Sequence, residues 1–140
     1  MTDLLARLRD RDWRLSAQRR AVAQVLVGEH VHLTAEQVHD LAREQLPEIS
    51  KATVYNTLNE LVAMGELLEV DVIDGPKRYD PNVTEHHDHL VCDGCQTIRD
   101  VPRSGPPPVA EESSSDGFLV TGVEVTYRGL CSSCAARRRF

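Results

Sequence analysis

Two cysteine pairs in the last third of the chain have the spacing of a metal site. They are Cys92 with Cys95 and Cys131 with Cys134, each a C-x-x-C pair. Four thiolates can surround Zn²⁺ tetrahedrally and leave no open position for a substrate. Redox disulfides and unrelated free thiols are the alternatives. In a reducing compartment the paired spacing favours metal, so the sequence predicts a structural zinc that stabilises a small domain and catalyses nothing.

A second group of candidate metal ligands combines histidine with aspartate. His87 and His89 stand two residues apart in a predicted strand, so their imidazoles point to the same face. Asp80 precedes them, and Asp100 lies in the next predicted strand. Imidazole with carboxylate suits Fe²⁺, Mn²⁺, Co²⁺, Ni²⁺ or Zn²⁺. An isolated H-x-H pair is more often ordinary polar surface, and the neighbouring carboxylates are what favour a metal site.

The first part of the chain has the pattern of helices followed by a hairpin. A short helix is predicted over 2–8. The next three helices are predicted to begin at Ser16, at the capping box of Thr34 and Gln37, and at Ser50. Extended runs at 67–73 and 77–80 flank the turn signal Asp74-Gly75-Pro76. This order is that of a winged helix, whose last helix enters the major groove of DNA.

The remainder predicts a small domain rich in strands. Extended runs are expected at 89–91, 97–101 and 118–130, and a mobile loop is expected over 103–117, which is rich in Pro, Ser, Gly and Glu. The predicted fold class is therefore α+β. It comprises a winged-helix DNA-binding domain over 1–81 and a small α/β domain over 82–140 that carries the four-cysteine zinc site.

Charge and hydropathy restrict the function. The formal charge of −6 argues against a broadly basic nucleic-acid binder. Six arginines between residues 7 and 20 face only two aspartates, however, so contact with phosphate should be local and oriented. No apolar run approaches the ~18 residues of a membrane span. The N-terminus lacks the order of a signal peptide, and we expect a cytoplasmic protein.

The outward face of the fourth helix is the expected DNA-reading surface. Tyr55, Asn56 and Asn59 lie opposite its apolar positions. Tyrosine can contact thymine methyl groups, and asparagine can pair with adenine edges. Three basic residues are placed for phosphates, namely Arg14, Arg19 and Lys51. Ordinary solvated helix surface is the alternative at each of these positions.

Several motifs, in the same order, resemble the ferric-uptake-regulator family of metal-dependent repressors. They are Leu15-Ser16-Ala17-Gln18-Arg19, His32-Leu33-Thr34-Ala35, the run from Ser50 to Leu58, Arg78-Tyr79-Asp80, the run from His87 to Cys92, and the closing C-x-x-C pair. The resemblance implies a C-terminal dimerisation domain and a homodimer on inverted-repeat operator DNA. It also implies a fifth regulatory ligand, because His32 matches the family histidine that reaches the metal from the DNA-binding domain. The implied Fe²⁺ or Mn²⁺ ligands are His32, Asp80, His87, His89 and Asp100.

Within that family the sequence resembles the peroxide-responsive repressors, especially the actinobacterial repressors of catalase genes. Both carboxylate ligands are aspartates, where iron sensors typically have glutamates, and Asn56 stands where iron sensors usually have arginine. The resemblance implies that Fe²⁺ reduces peroxide and that the oxidant attacks His32 or His87, which releases DNA. Mn²⁺ would fill the same site without this reaction. A sensor of iron, manganese, nickel or zinc occupancy is the alternative.

Two readings outside this family use fewer of the residues. A small metallohydrolase would use His86, His87, Asp88 and His89, but it gives the helical first domain no role. A zinc-ribbon module that binds protein leaves His32 and Asp100 unexplained. His86 and Asp88 point to the other face of their strand, where solvated side chains are expected. The sequence names no partner for His30 and His39.

Overall fold

The chain divides into two compact units, Met1–Glu85 and His86–Phe140. The computed structural model describes residues 3–28, 31–72, 74–84, 87–103, 105, 117–119 and 123–137. The predicted division at residues 81 and 82 falls slightly earlier than the division between these units. Among the described residues, no helix is long and apolar enough to cross a membrane.

Helices dominate the first unit and begin where the sequence predicts. They are α1 (Leu4–Arg9), α2 (Ala17–Val25), α3 (Ala35–Ala42) and α4 (Lys51–Ala63). The Ser16 hydroxyl accepts the Arg19 backbone N–H at 3.3 Å, and the Ser50 hydroxyl accepts the Thr53 N–H at 3.1 Å. Both bonds of the capping box at the start of α3 are present. These side chains satisfy backbone donors that have no partner inside the helix.

A three-stranded sheet completes the first unit and confirms the winged helix. Its strands are β1 (Leu33–Thr34), β2 (Leu68–Val70) and β3 (Arg78–Asp80), in the antiparallel order β1-β3-β2. The predicted runs at 67–73 and 77–80 contain β2 and β3. The two-residue strand β1 was not predicted, because it is too short to show a periodic pattern.

The apolar face of α4 forms part of one continuous core. Val54, Leu58 and Leu61 are fully buried there, as their spacing predicts. Gly65 ends the helix with φ +78°, a conformation that glycine adopts without strain. Its N–H donates to the Val62 carbonyl at 3.0 Å, and the Glu66 N–H donates to the Leu61 carbonyl at 2.9 Å. This pair of bonds is a Schellman motif, which fixes the path of the chain as it leaves α4.

The second unit is a small sheet followed by a short helix. Its elements are β4 (His87–Cys92), β5 (Ile98–Pro102), β6 (Thr126–Gly129) and α5 (Ser132–Arg137). The order is β5-β4-β6, with β4 antiparallel to β5 and parallel to β6. Its buried apolar side chains among the described residues are few, namely Val91, Cys92 and Ile98. So small a core is the situation in which a metal site is expected to stabilise a domain.

Two predictions for the second unit need correction or lie outside the described residues. The strand expected over 118–130 is a strand only over Thr126–Gly129 among the residues described there. Val123 and Val125 alternate in sequence, yet neither belongs to a strand. The helix α5 was not predicted at all. Most of the loop expected over 103–117 lies outside the described residues.

Candidate metal sites and nucleic-acid surface

The four cysteines converge in the second unit. Cys92 ends β4, and Cys95 follows in a turn. Cys131 directly precedes α5, and Cys134 lies in its first turn. Each of the four cysteine sulfurs lies within 4.8 Å of the other three. The Cys92 sulfur accepts the backbone N–H groups of Gly94, Cys95 and Cys131 at 3.3, 3.4 and 3.3 Å. The four thiols that the sequence singles out therefore lie together in the structure.

Hydrogen bonds and contacts among these thiols shift their pKa values in different directions. The Cys131 and Cys95 N–H groups favour the Cys92 thiolate and lower its pKa to about 6. The Thr97 hydroxyl lowers the pKa of Cys95. Contact with the sulfurs of Cys131 and Cys92 raises the pKa of Cys134 to about 12. Four sulfurs this close cannot all be anionic without a cation, and their number and type suit tetrahedral Zn²⁺.

Gly94 has a role in this cluster that its position in the sequence did not reveal. A Cβ at position 94 would lie 2.9 Å from the Cys134 sulfur and 3.1 Å from the Cys134 Cβ. The residue directly before Cys95 must therefore lack a side chain for α5 to approach the turn this closely. A glycine inside a C-x-x-C pair is the only signal of this in the sequence.

Three of the predicted regulatory ligands meet on one face of the second unit's sheet. His89 on β4 stands opposite Asp100 on β5, and His87 lies two residues before His89. The Nε2 atoms of His87 and His89 each lie 3.5 Å from Asp100 Oδ1. The two imidazoles meet edge to face, with ring centroids 4.7 Å apart. These nitrogen and oxygen donors converge as they would around a divalent cation of intermediate hardness.

The other two predicted ligands meet in the first unit. Pairing of Leu33 with Tyr79 between β1 and β3 sets His32 beside Asp80. His32 Nε2 lies 3.3 Å from Asp80 Oδ2, with side chains 4% and 1% exposed. The other Asp80 oxygen accepts the Asn82 backbone N–H at 2.8 Å. A nearly inaccessible carboxylate facing an imidazole is a second donor set of the same chemical type.

Asp88 and His39, which have no role in the predicted metal sites, are both buried and have partners in the structure. Asp88 is on the opposite face of β4 from His89, as predicted, but it is buried and paired with Arg103, so the solvated reading was wrong. His39 is buried, and its Nε2 lies 3.0 Å from the Ile49 carbonyl just before α4. His30 and His86 lie outside the described residues. Sequence could not have named these partners, because the distant segments that supply them are set by the fold.

The outward face of α4 is available for a large ligand. Tyr55 is 48% exposed, and Lys51, Asn56 and Asn59 are also exposed, opposite the buried face of the helix. A cleft of about 350 Å³ lies between α4 and the β2–β3 hairpin, with Tyr55, Asn59 and Lys77 among its lining residues. This placement suits the reading of base edges by α4, with the hairpin beside it.

The two predicted phosphate contacts near α2 stand in different environments. Arg14 is exposed. The Arg19 guanidinium lies 4.3 Å from the centre of the Trp13 ring and bonds to Glu60 Oε2 at 2.8 Å. It also donates to the Arg14 carbonyl at 2.8 Å. Arg19 thus links α2 to α4 within the unit, a role for Trp13 and Glu60 that the sequence reasoning missed.

Comparison with known proteins gives one consistent family. The model of the "Ferric uptake regulator family" matches residues 10–128. The transcriptional regulator FurA of Mycobacterium tuberculosis is 34% identical over 134 residues, covering 95% of this chain and 90% of its own. The peroxide-responsive repressor PerR of Staphylococcus epidermidis is 30% identical over 139 residues, covering 96% and 89%.

A solved structure agrees with the described fold. The Helicobacter pylori ferric uptake regulator Fur, described as having three functional metal binding sites, matches with a TM-score of 0.70 at 23% identity. The match covers 94% of this chain and 91% of that one. At this identity the likeness supports the arrangement of helices and strands and nothing finer.

Proposed function

The chain belongs to the ferric uptake regulator family of metal-responsive transcriptional regulators, and on that premise we propose that it is a peroxide-sensing repressor. It binds an inverted-repeat operator as a homodimer and releases it when a regulatory histidine is oxidised. Derepression would then raise expression of catalase or other oxidative-stress genes. The observation that carries this proposal is that both carboxylates facing the clustered imidazoles are aspartates, Asp80 and Asp100.

We assign one regulatory site to the two donor sets. His32 and Asp80 come from the first unit, and His87, His89 and Asp100 come from the second. The family resemblance is the reason for joining them, and their matching chemistry supports it. An ion held by both units would restrict the movement of one relative to the other. Because such an ion binds the restricted form more tightly, it would shift the population towards the form that fits the operator.

The surroundings of His32 suit a metal ligand that could be oxidised in place. His32 is almost inaccessible and faces Asp80, which holds it in one orientation. Bound Fe²⁺ would supply the reduction of hydrogen peroxide, with one oxygen atom inserted into an imidazole C–H bond and the other leaving as water. The modified ring of His32 or His87 is a poorer donor, so affinity for the regulatory ion falls. The four-cysteine site would keep Zn²⁺ throughout and maintain the fold of the second unit.

Operator binding by two metal forms tests the proposal. The zinc-loaded protein is charged anaerobically with Fe²⁺ or Mn²⁺, and operator affinity is measured before and after stoichiometric peroxide. We expect binding to be lost only in the iron form, together with a one-oxygen mass gain on the His32 or His87 peptide. Binding that survives peroxide in both forms, with no oxidised histidine, would reject peroxide sensing.

The second candidate is a sensor of metal occupancy, supported by the match to the ferric uptake regulator family. It predicts that peroxide leaves operator binding unchanged and that affinity follows the concentration of the free ion. Tyr55→Ala tests the reading surface under either candidate, because Tyr55 is exposed on α4 and far from the cysteines in sequence. We expect it to weaken operator binding while both metals are retained. Normal operator binding by this variant would place the recognition surface elsewhere.

A further inference from the structure

A buried ion pair joins α1 to the turn that ends α4, the proposed recognition helix. Arg7 Nε donates to Glu66 Oε1 at 3.0 Å, and the two side chains are 12% and 8% exposed. Arg7 Nη2 also donates to the Glu66 backbone carbonyl at 3.2 Å. Glu66 is the residue whose N–H closes the Schellman motif of α4. The guanidinium is therefore bonded to the turn that fixes how α4 ends.

The same guanidinium reaches the residue that follows a proposed metal ligand. Arg7 Nη2 donates to the Pro81 carbonyl at 2.9 Å. Pro81 comes directly after Asp80, whose carboxylate faces His32 and accepts the Asn82 N–H. One planar group thus holds the end of α4 and the backbone beside Asp80 in a fixed relation. Arginine suits this role because its donors are held in a rigid fork, which lysine lacks.

We propose that Arg7 is a positioning residue that couples the Asp80 half of the regulatory site to the recognition helix. The inference rests on the proposed function, since it presumes that a metal at Asp80 controls operator binding. Displacement of the backbone at Asp80 moves the Pro81 carbonyl, and Arg7 passes this movement to Glu66 and the end of α4.

Arg11 provides a matched comparison. It also pairs with Glu66, at 3.5 Å, and it donates to the Met64 carbonyl at 3.1 Å. Its side chain is 44% exposed, so water screens the pair far more than it screens Arg7. Arg11 therefore contacts the same carboxylate and the same end of α4 as Arg7. Among the described residues, it makes no hydrogen bond to Pro81, whereas Arg7 does. If Arg7 couples the two sites, replacing Arg7 should change the dependence of operator affinity on metal more than replacing Arg11 does. If Arg7 acts only at the end of α4, the two replacements should have similar effects.

The test measures coupling directly. Operator affinity is measured with and without Mn²⁺ for the zinc-loaded native protein, Arg7→Lys and Arg11→Lys, and the ratio of the two affinities is compared. We expect Arg7→Lys to reduce the ratio by about tenfold, within the range typical of coupling between sites. Arg11→Lys should leave the ratio within about twofold of the native value. Thermal unfolding and Mn²⁺ affinity in the absence of DNA are measured in parallel.

Each outcome decides the proposal. A ratio in Arg7→Lys equal to that in Arg11→Lys, even with a lower melting temperature, would reduce Arg7 to a structural anchor and overturn the coupling role. If Arg7→Lys does not fold, Arg7→Gln takes its place under the same criterion, because it also removes the rigid fork that reaches Pro81 and leaves the pair of Arg11 with Glu66 intact. A native protein whose operator binding ignores Mn²⁺ would instead refute the proposed function, whatever the variants show.

Discussion

Gly94→Ala should weaken the four-cysteine site without altering any of its ligands. The added Cβ would lie 2.9 Å from the Cys134 sulfur, closer than the 3.5–4.0 Å of ordinary contact between non-bonded atoms. The sulfur, or the turn that carries residue 94, must therefore move by roughly 0.6 Å or more. Zinc–sulfur distances are held to about ±0.2 Å of 2.3 Å, so this displacement exceeds what the site tolerates.

The expected result is a loss of zinc affinity of about 10- to 100-fold, the range typical when the surroundings of a metal site are changed. That factor corresponds to roughly 1.4–2.8 kcal/mol, at about 1.4 kcal/mol per tenfold. Competition with a chromophoric chelator under reducing conditions measures it. Gly129→Ala is the matched control, because a Cβ there meets nothing within 4 Å although Gly129 on β6 pairs with Cys92 on β4. Equal zinc retention by the two variants would refute the packing argument.

Three further predictions follow from the caps, the thiols and the Arg19 contact. Ser50→Ala removes the acceptor for the Thr53 N–H at the start of α4, so urea denaturation should show a loss of about 1 kcal/mol, and no loss would refute the cap's role. The pKa of Cys92 falls from 9.0 to about 6 in the folded chain, so in zinc-free, reduced protein its contribution to stability should be complete above pH 9 and disappear as the pH falls through about 6. Urea midpoints over this range should therefore rise with pH less steeply in Cys92→Ala, and identical slopes would contradict the shift. Glu60→Gln should tighten operator binding several-fold in low salt by freeing Arg19 for phosphate, and unchanged binding would mean that Arg19 serves only to hold α2 to α4.

Local rules predicted the first unit well because its helices begin at strong caps. Ser16, Thr34 and Ser50 each accept the backbone donor that their position implies. The buried face of α4 likewise follows from spacing alone. The strand β1 escaped prediction because it consists of two residues stabilised only by a distant partner, β3. Helix α5 escaped because its small and basic residues bury nothing that would mark a helical stripe.

Some residues of the candidate sites could likewise be predicted from local spacing, whereas others depend on contacts between distant segments. The four thiols were predictable because C-x-x-C spacing is itself the geometric requirement of a zinc site. His87, His89 and Asp100 were predictable because strand periodicity places them on one face. His32 required the family resemblance, since only the register of β1 on β3 sets it beside Asp80. The contacts of Arg7 and Arg19 join segments more than forty residues apart, and charge alone does not choose between a distant carboxylate and a phosphate.

An acidic chain that reads DNA cannot depend on general attraction to phosphate. Part of the arginine-rich segment between residues 7 and 20 is neutralised within its own unit, since Arg7 and Arg11 face Glu66 and Arg19 faces Glu60. What remains exposed near the reading face is a small set that includes Arg14 and Lys51. Affinity must then depend on how precisely α4 is presented rather than on total charge. Under the proposed function, a coupling of about 1–3 kcal/mol, typical between sites, would change operator affinity by roughly 5- to 150-fold.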